Sequence, residues 1–177
     1  MKILWTLPGA GALAACALLG CVSKPANIEA VTPFNGEQYL GKWYEVARLD
    51  HRFERGLSHV TADYSMRPDG GIRVINRGYD GEKKQWKQAE GKAYFVEKPD
   101  TAYLKVSFFG PFYGAYIVFD LDPQYRTSMV SGPDNSYLWI LSRTPGIEPA
   151  QKARLVEKAK RSGYPTEKLI WVDQTKV

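Results

Sequence analysis

From Gly41 onward, apolar and polar residues mostly alternate, and turn-forming residues interrupt the alternation about every dozen positions. A period of two is the pattern of a strand with one face buried. "WYEVARL" is followed by the loop "DHRFERGLS", "HVTADYSM" ends at "RPDGG", and "IRVINRGY" ends at "DGEKK". "WKQAEGKAYFV" ends at "EKPD", "AYLKVSFF" at "GPFYG", "AYIVFDL" at "DPQY", "RTSMVS" at "GPDN" and "SYLWILSR" at "TPGIEP". Consecutive strands with short connections predict an all-β fold, an eight-stranded antiparallel up-and-down β-barrel, because closure removes the exposed edges of a sheet. A β-sandwich fits the same pattern. The period then changes in "EPAQKARLVEKAKRSG", where Ala153, Val156 and Ala159, with Leu155, form a helical stripe. This predicts a C-terminal α-helix packed on the barrel wall and ending at Gly163, before a short final strand in "KLIWVDQ".

The start of the chain has a different character. "MKILWTLPGAGALAACALLGC" carries one Lys ahead of an apolar run with small residues at its end, as a secretory signal does. "LLGC" resembles the bacterial lipobox, and "LAAC" fits it too. Cys21 is preferred over Cys16 because it leaves a longer apolar core and a polar, Pro-containing segment behind it. The expected division is a lipoprotein signal peptide over 1–20, a lipidated Cys21 with a flexible tether over 21–33, and one domain over 34–177. The lipobox resemblance implies a diacylglycerol on the Cys21 sulfur and an acyl chain on its amine, which together give stable membrane anchoring. Residue 22 is Val, not the Asp associated with inner-membrane retention. The implied location is the outer membrane of a Gram-negative envelope, lipid-anchored and facing the periplasm.

The chain has 177 residues, 44% of them hydrophobic and 13% aromatic, which suits one well-packed domain and not a disordered chain. Its formal net charge of +5 is spread without a long basic block, so no nucleic-acid partner is implied. Both cysteines fall within the first 21 residues, and there are two histidines, His51 and His59. The body therefore has no thiol nucleophile and few metal donors, and neither a metal nor a cofactor is implied.

Three ordered segments carry a family resemblance. "NGEQYLGKWYEVARLDHRFERG", "YIVFDLDPQY" and "YLWILSRTP" resemble the three signatures of the lipocalins. The stretch as a whole is similar to the bacterial outer-membrane lipoprotein branch of that family, a branch related to apolipoprotein D. This chain departs from many relatives in having no cysteine in its body. The resemblance implies structural roles for Gly41, Trp43 and Arg143, with the guanidinium lying on the indole at the closed end. It also implies a ligand cavity, since a barrel of eight strands has room for one small ligand. By strand parity Trp139 and Leu141 face inward with Arg143. Lys105 is expected to face water, which turns Leu104, Val106 and Phe108 inward. The family's pocket positions add Tyr64, Asn76 and Tyr116. Gly91 and Ala93 are expected to leave room.

The segment "SFFGPFYGAYI" has five aromatic residues around a turn and no charge. Counted from the closed end, it lies at the mouth, where Phe109, Phe112 and Tyr113 are expected to form a lip. The lip and the family branch favour a homodimer. The expected function is lipid binding, with storage or transport of fatty acids, lysophospholipids or similar amphiphiles for envelope maintenance under stress. Arg48, Arg52 and Arg55 are the candidate partners of an anionic head group. Two other classes stay open. A lipocalin-fold enzyme acting on a small apolar substrate would use Glu45 or Asp120 as a general base, although no nucleophile–base pair supports catalysis. A haem or other hydrophobic-ligand binder would rely on His59.

Overall fold

The computed structural model describes residues 22–175. The signal-peptide reading of 1–20 and both lipobox cysteines, Cys16 and Cys21, lie outside the described residues. A short helix, α1 (Gly36–Tyr39), leads into β1 (Gly41–Arg48), β2 (Leu57–Met66), β3 (Ile72–Asp80) and β4 (Gln85–Phe95). There follow β5 (Tyr103–Phe109), β6 (Phe112–Leu121), β7 (Thr127–Ser131), β8 (Leu138–Ser142), the helix α2 (Pro149–Arg161) and β9 (Ile170–Trp171). Each strand from β1 to β8 pairs antiparallel with the next, and β1 also pairs with β8, so the sheet closes into the expected eight-stranded up-and-down barrel.

The ladder between β1 and β2 runs only from Gly41↔Tyr64 to Tyr44↔Thr61. Beyond it β1 turns to the outer strand β9, through Ala47↔Trp171 and Arg48↔Ile170. The gap left between β1 and β2 is bridged by the segment after β9, where Val172 N–H donates to the Val46 carbonyl at 3.0 Å and His59 N–H to the Asp173 carbonyl at 2.8 Å. The Gln174 amide donates at 2.8 Å to both the Glu45 and the Val60 carbonyl oxygens. These carbonyls would otherwise lack ladder partners next to the barrel interior.

Two apolar cores lie on opposite sides of the wall. Outside, Leu155 and Ala159 of α2 pack with Ile117, Phe119, Met129, Ile140 and Tyr164. Inside, Trp43, Val118, Val130 and Leu141 pack with Phe34, Tyr39 and Tyr64. Both cores are built wholly from described residues, so residues 22–175 carry a core of their own. Pro149 stands in the first turn of α2, where its missing N–H costs nothing. The helix contacts the wall through Leu155 and Ala159, whereas Ala153 of the expected stripe is exposed.

Two further expectations are corrected. The segment expected to be a flexible tether is docked. Ile28 is buried in the outer core, the Val31 N–H donates to the Val118 carbonyl at 2.8 Å, and Ala102 N–H donates to the Val31 carbonyl at 3.0 Å. Apolar Ile28 and Val31 outweigh the Pro-rich composition around them. The "GPFYG" turn is also shorter than expected: β6 resumes at Phe112, leaving Gly110 and Pro111 between the paired Phe109 and Phe112.

Candidate functional site

The closed end is built from the start of β1. Gly41 adopts φ +87°, a left-handed conformation that favours glycine, and so brings the chain beneath the barrel. Trp43 is fully buried, and its Nε1–H donates to the Tyr39 carbonyl at 2.8 Å. The Arg143 guanidinium lies 3.9 Å from the indole centroid and donates to the carbonyls of Lys42 (2.9 Å), Gln38 (2.8 Å) and Tyr125 (3.2 Å). Above this plug three phenols meet. Tyr116 Oη lies 2.9 Å from both Tyr39 Oη and Tyr64 Oη, and Tyr39 Oη reaches Ser128 Oγ at 3.0 Å. Burial pushes the Tyr39 hydroxyl up to about 12, and it also raises those of Tyr64 and Tyr116 well above the ordinary range. The floor is therefore polar, hydrogen-bonded and uncharged at neutral pH.

A cavity of about 700 Å³ rises from this floor to the mouth, a size that suits one small ligand. Ala62, Ile72, Val74, Ala93, Leu104 and Val106 make its apolar wall. Asn76 lines the same wall and its Oδ1 is buried without a partner, so a donor on a ligand would find an acceptor there.

Near the mouth, the end of β1 and the loop that follows it bring an ionisable cluster together on the wall. Glu45 and Arg48 are both buried and pair at 2.7 Å. Arg48 also donates to the carbonyls of Glu54 (2.8 Å) and Leu57 (3.1 Å). Glu54 Oε2 lies 3.0 Å from His51 Nε2 and accepts from Trp139 Nε1 at 3.1 Å. The two carboxyls diverge. Burial, then the neighbouring Glu54, pushes Glu45 well above the usual carboxylate range against the pull of Arg48. Burial opposes ionisation of Glu54 too, yet His51 and Trp139 hold it below that range.

The matching family model is that of the lipocalin-like domain, and it covers residues 34–174. The chain is a lipocalin. It is 56% identical over 162 residues to the outer membrane lipoprotein Blc of Vibrio cholerae, which spans 90% of this chain and 95% of the relative. Bovine apolipoprotein D is more distant, 31% identical over 150 residues that cover 80% of this chain and 77% of the relative. In fold the chain is similar to the crystal structure of the cockroach major allergen Per a 4, with a TM-score of 0.68 and 20% identity over 86% of this chain and 96% of that one. Its location is that stated in the name of its bacterial relative, the outer membrane.

This lipocalin brings all eight expected lining residues to one cavity: Tyr64, Asn76, Leu104, Val106, Phe108, Tyr116, Trp139 and Leu141. Phe109, Phe112 and Tyr113 border its mouth. Phe109 and Phe112 are each 73% exposed, whereas the Tyr113 ring packs between Lys105 (5.1 Å) and Tyr94 (6.4 Å). The candidate head-group arginines separate. Arg48 is a buried partner of Glu45, and Arg55 pairs with Asp50 at 2.7 Å; Arg52 alone of the three borders the cavity.

Asp120, expected to face inward, binds Arg154 of α2 at 2.8 Å. A bulge between Val118 and Asp120 breaks the alternation, so Leu121 packs inward instead. Glu45 does face the cavity, and Arg48 donates to its carboxyl. His59 is turned away from the cavity, with Tyr79 and Trp86 each edge-on to its ring. Gly91 does not leave space. The Phe108 ring lies over it, and a Cβ there would stand 2.8 Å from that ring. Sequence reasoning missed Tyr39, His51 and Glu54. Tyr39 belongs to a four-residue helix and the other two to a loop, where no periodicity points inward. Ile72 and Val74 were readable, because they share the parity of Asn76.

Proposed function

We propose that this lipocalin binds a single lipid in its barrel and stores or carries it at the outer membrane, where Cys21 anchors it. The observation that carries this reading is the cavity of about 700 Å³, with an apolar wall, an uncharged hydroxyl floor and ionisable groups confined to the upper part. Such a gradient suits an acyl chain lying head-up. Burial of each methylene contributes about 0.8 kcal/mol, so the wall supplies the affinity and the upper groups choose the head. Fatty acids, lysophospholipids and similar amphiphiles fit, and envelope maintenance is the role that follows. Binding of this kind needs no catalytic residue. Glu45, the remaining candidate base, is held by Arg48 at 2.7 Å.

Native mass spectrometry of the detergent-free protein, with extraction of its bound lipid, tests the reading. One amphiphile per barrel is the expected result. A protein that stays empty when titrated with fatty acids and lysophospholipids overturns it. The anchor has its own test: Cys21→Ala should lose the label from radioactive palmitate, and retention of label in that variant with loss in Cys16→Ala would assign the modification to Cys16.

A further inference from the structure

Apart from Trp171, which stacks with Lys152 of α2 at 3.6 Å, the large exposed aromatic side chains among the described residues gather at one end of the barrel. Phe53 on the β1–β2 loop is 61% exposed, and Phe109 and Phe112 flanking the β5–β6 turn are each 73% exposed. Trp86, beside the β3–β4 turn, is 49% exposed. These turns surround the mouth. At the closed end the large exposed apolar residues are Met66 and Val96, neither aromatic, among the described residues. The four rings stand on three separate connections around an opening, Phe109 and Phe112 sharing the β5–β6 turn.

Cations stand among them. Arg52 lies 5.1 Å from the centre of the Phe53 ring, and Arg77 lies 5.2 Å from that of Trp86. Among the described residues no ion pair engages Arg52, Arg77, Lys83 or Lys84; of the rim acids, Asp50, Asp80 and Glu54 are taken by Arg55, Lys87 and His51, while Glu82 and Asp134 are unpaired, so unpaired cations outnumber unpaired acids four to two. The rim thus presents rings and free positive charge together.

We propose that this rim docks on a bilayer surface bearing anionic head groups, so that lipid passes between membrane and cavity by contact and not through water. The inference rests on the lipid-binding reading above. Aromatic rings settle at the boundary between head groups and acyl chains, and nearby Arg and Lys gain from anionic lipid. A second copy of this chain is the poorer occupant, because two such rims face to face would oppose like charges.

The test uses residues 22–177, without an acyl anchor, in co-sedimentation with vesicles of phosphatidylcholine alone or mixed with phosphatidylglycerol. Binding is expected to the mixed vesicles, weakened by salt, and reduced about tenfold or more by F109S/F112S. Arg52→Gln with Arg77→Gln should remove the preference for anionic vesicles. Uptake of a fluorescent fatty acid from solution is measured in parallel. Normal uptake with no vesicle binding overturns the docking proposal and leaves lipid binding intact, whereas failed uptake by the wild type overturns the lipid-binding reading itself. Sedimentation equilibrium supplies the last arm: a wild-type dimer that F109S/F112S converts to a monomer, with vesicle binding unchanged by that substitution, assigns the rings to a subunit interface and overturns the proposal.

Discussion

The two ends of this barrel are made from the same strands by opposite rules. At the closed end Trp43 is fully buried, Arg143 covers it, and Tyr39, Tyr64, Tyr116 and Ser128 satisfy one another's hydroxyls. At the mouth, rings face solvent, the Glu45 carboxyl is held by buried Arg48 and that of Glu54 by His51 and Trp139, and Asn76 Oδ1 on the wall between has no partner. Packing and satisfied hydrogen bonds stabilise the fold, whereas unmatched groups are available to a ligand or a surface. The difference teaches that stability and binding are separable here, and substitutions at the two ends should separate them.

The largest effect is expected from Trp43→Ala. It empties the plug, removes the indole donor to Tyr39 and strips Arg143 of its ring, for a loss of about 3–5 kcal/mol in denaturant unfolding. Arg143→Ala keeps the indole but frees three backbone carbonyls and the stacked face. About 1–3 kcal/mol should be lost, with ligand choice unchanged. An unaltered unfolding midpoint together with lost lipid binding would move Arg143 from the plug to the ligand site.

A smaller effect should appear with pH. In the folded protein Glu45 keeps its proton at pH values where the unfolded chain, near the ordinary 4.5, has released it. The unfolded state then binds fewer protons, so the stabilisation present below pH 4.5 is lost as pH rises toward the raised folded value. Glu54, whose folded value is lowered, has the opposite sign and acts below pH 4.5. Thermal melts of Glu45→Gln should show a flatter decline on the alkaline side than the wild type; an unchanged slope would locate the titration elsewhere.

Least of all should the fold respond to F109S/F112S, within about 0.5 kcal/mol, because both side chains are mostly in water. Release of a fluorescent fatty acid in stopped-flow displacement should nevertheless quicken more than capture slows. Trp139→Phe should likewise leave the fold intact while removing most of the ligand-induced fluorescence change. A signal that persists would come from Trp43, Trp86 or Trp171.

Much of this architecture was legible in order along the chain. Alternation located the strands, and a change of period located α2. Parity counted from Lys105 and from Arg143 brought Leu104, Val106, Phe108, Trp139 and Leu141 to one interior. Parity failed at Asp120, because the bulge after Val118 inserts a residue that no local signal announces. Arg48 was read as a mouth cation, because its charge is visible in sequence and its burial against Glu45 is not. Gly91 was read as space, because the ring that fills it comes from the neighbouring strand.

The sequence by itself determined the strands, the tight turns and the apolar, charge-free lip, since each follows from residue type and short-range spacing, and the family resemblance supplied the plug of Trp43 and Arg143. Only the tertiary structure decided how the ends were finished. Tyr39 joins Tyr116 across 77 positions, Trp139 holds Glu54 across 85, and Gln174 bridges to Glu45 across 129. Local propensity carries no record of such distant pairings. They form because a closed barrel brings its ends together, and because a buried hydroxyl, carboxylate or carbonyl then takes whichever partner the closure has placed beside it.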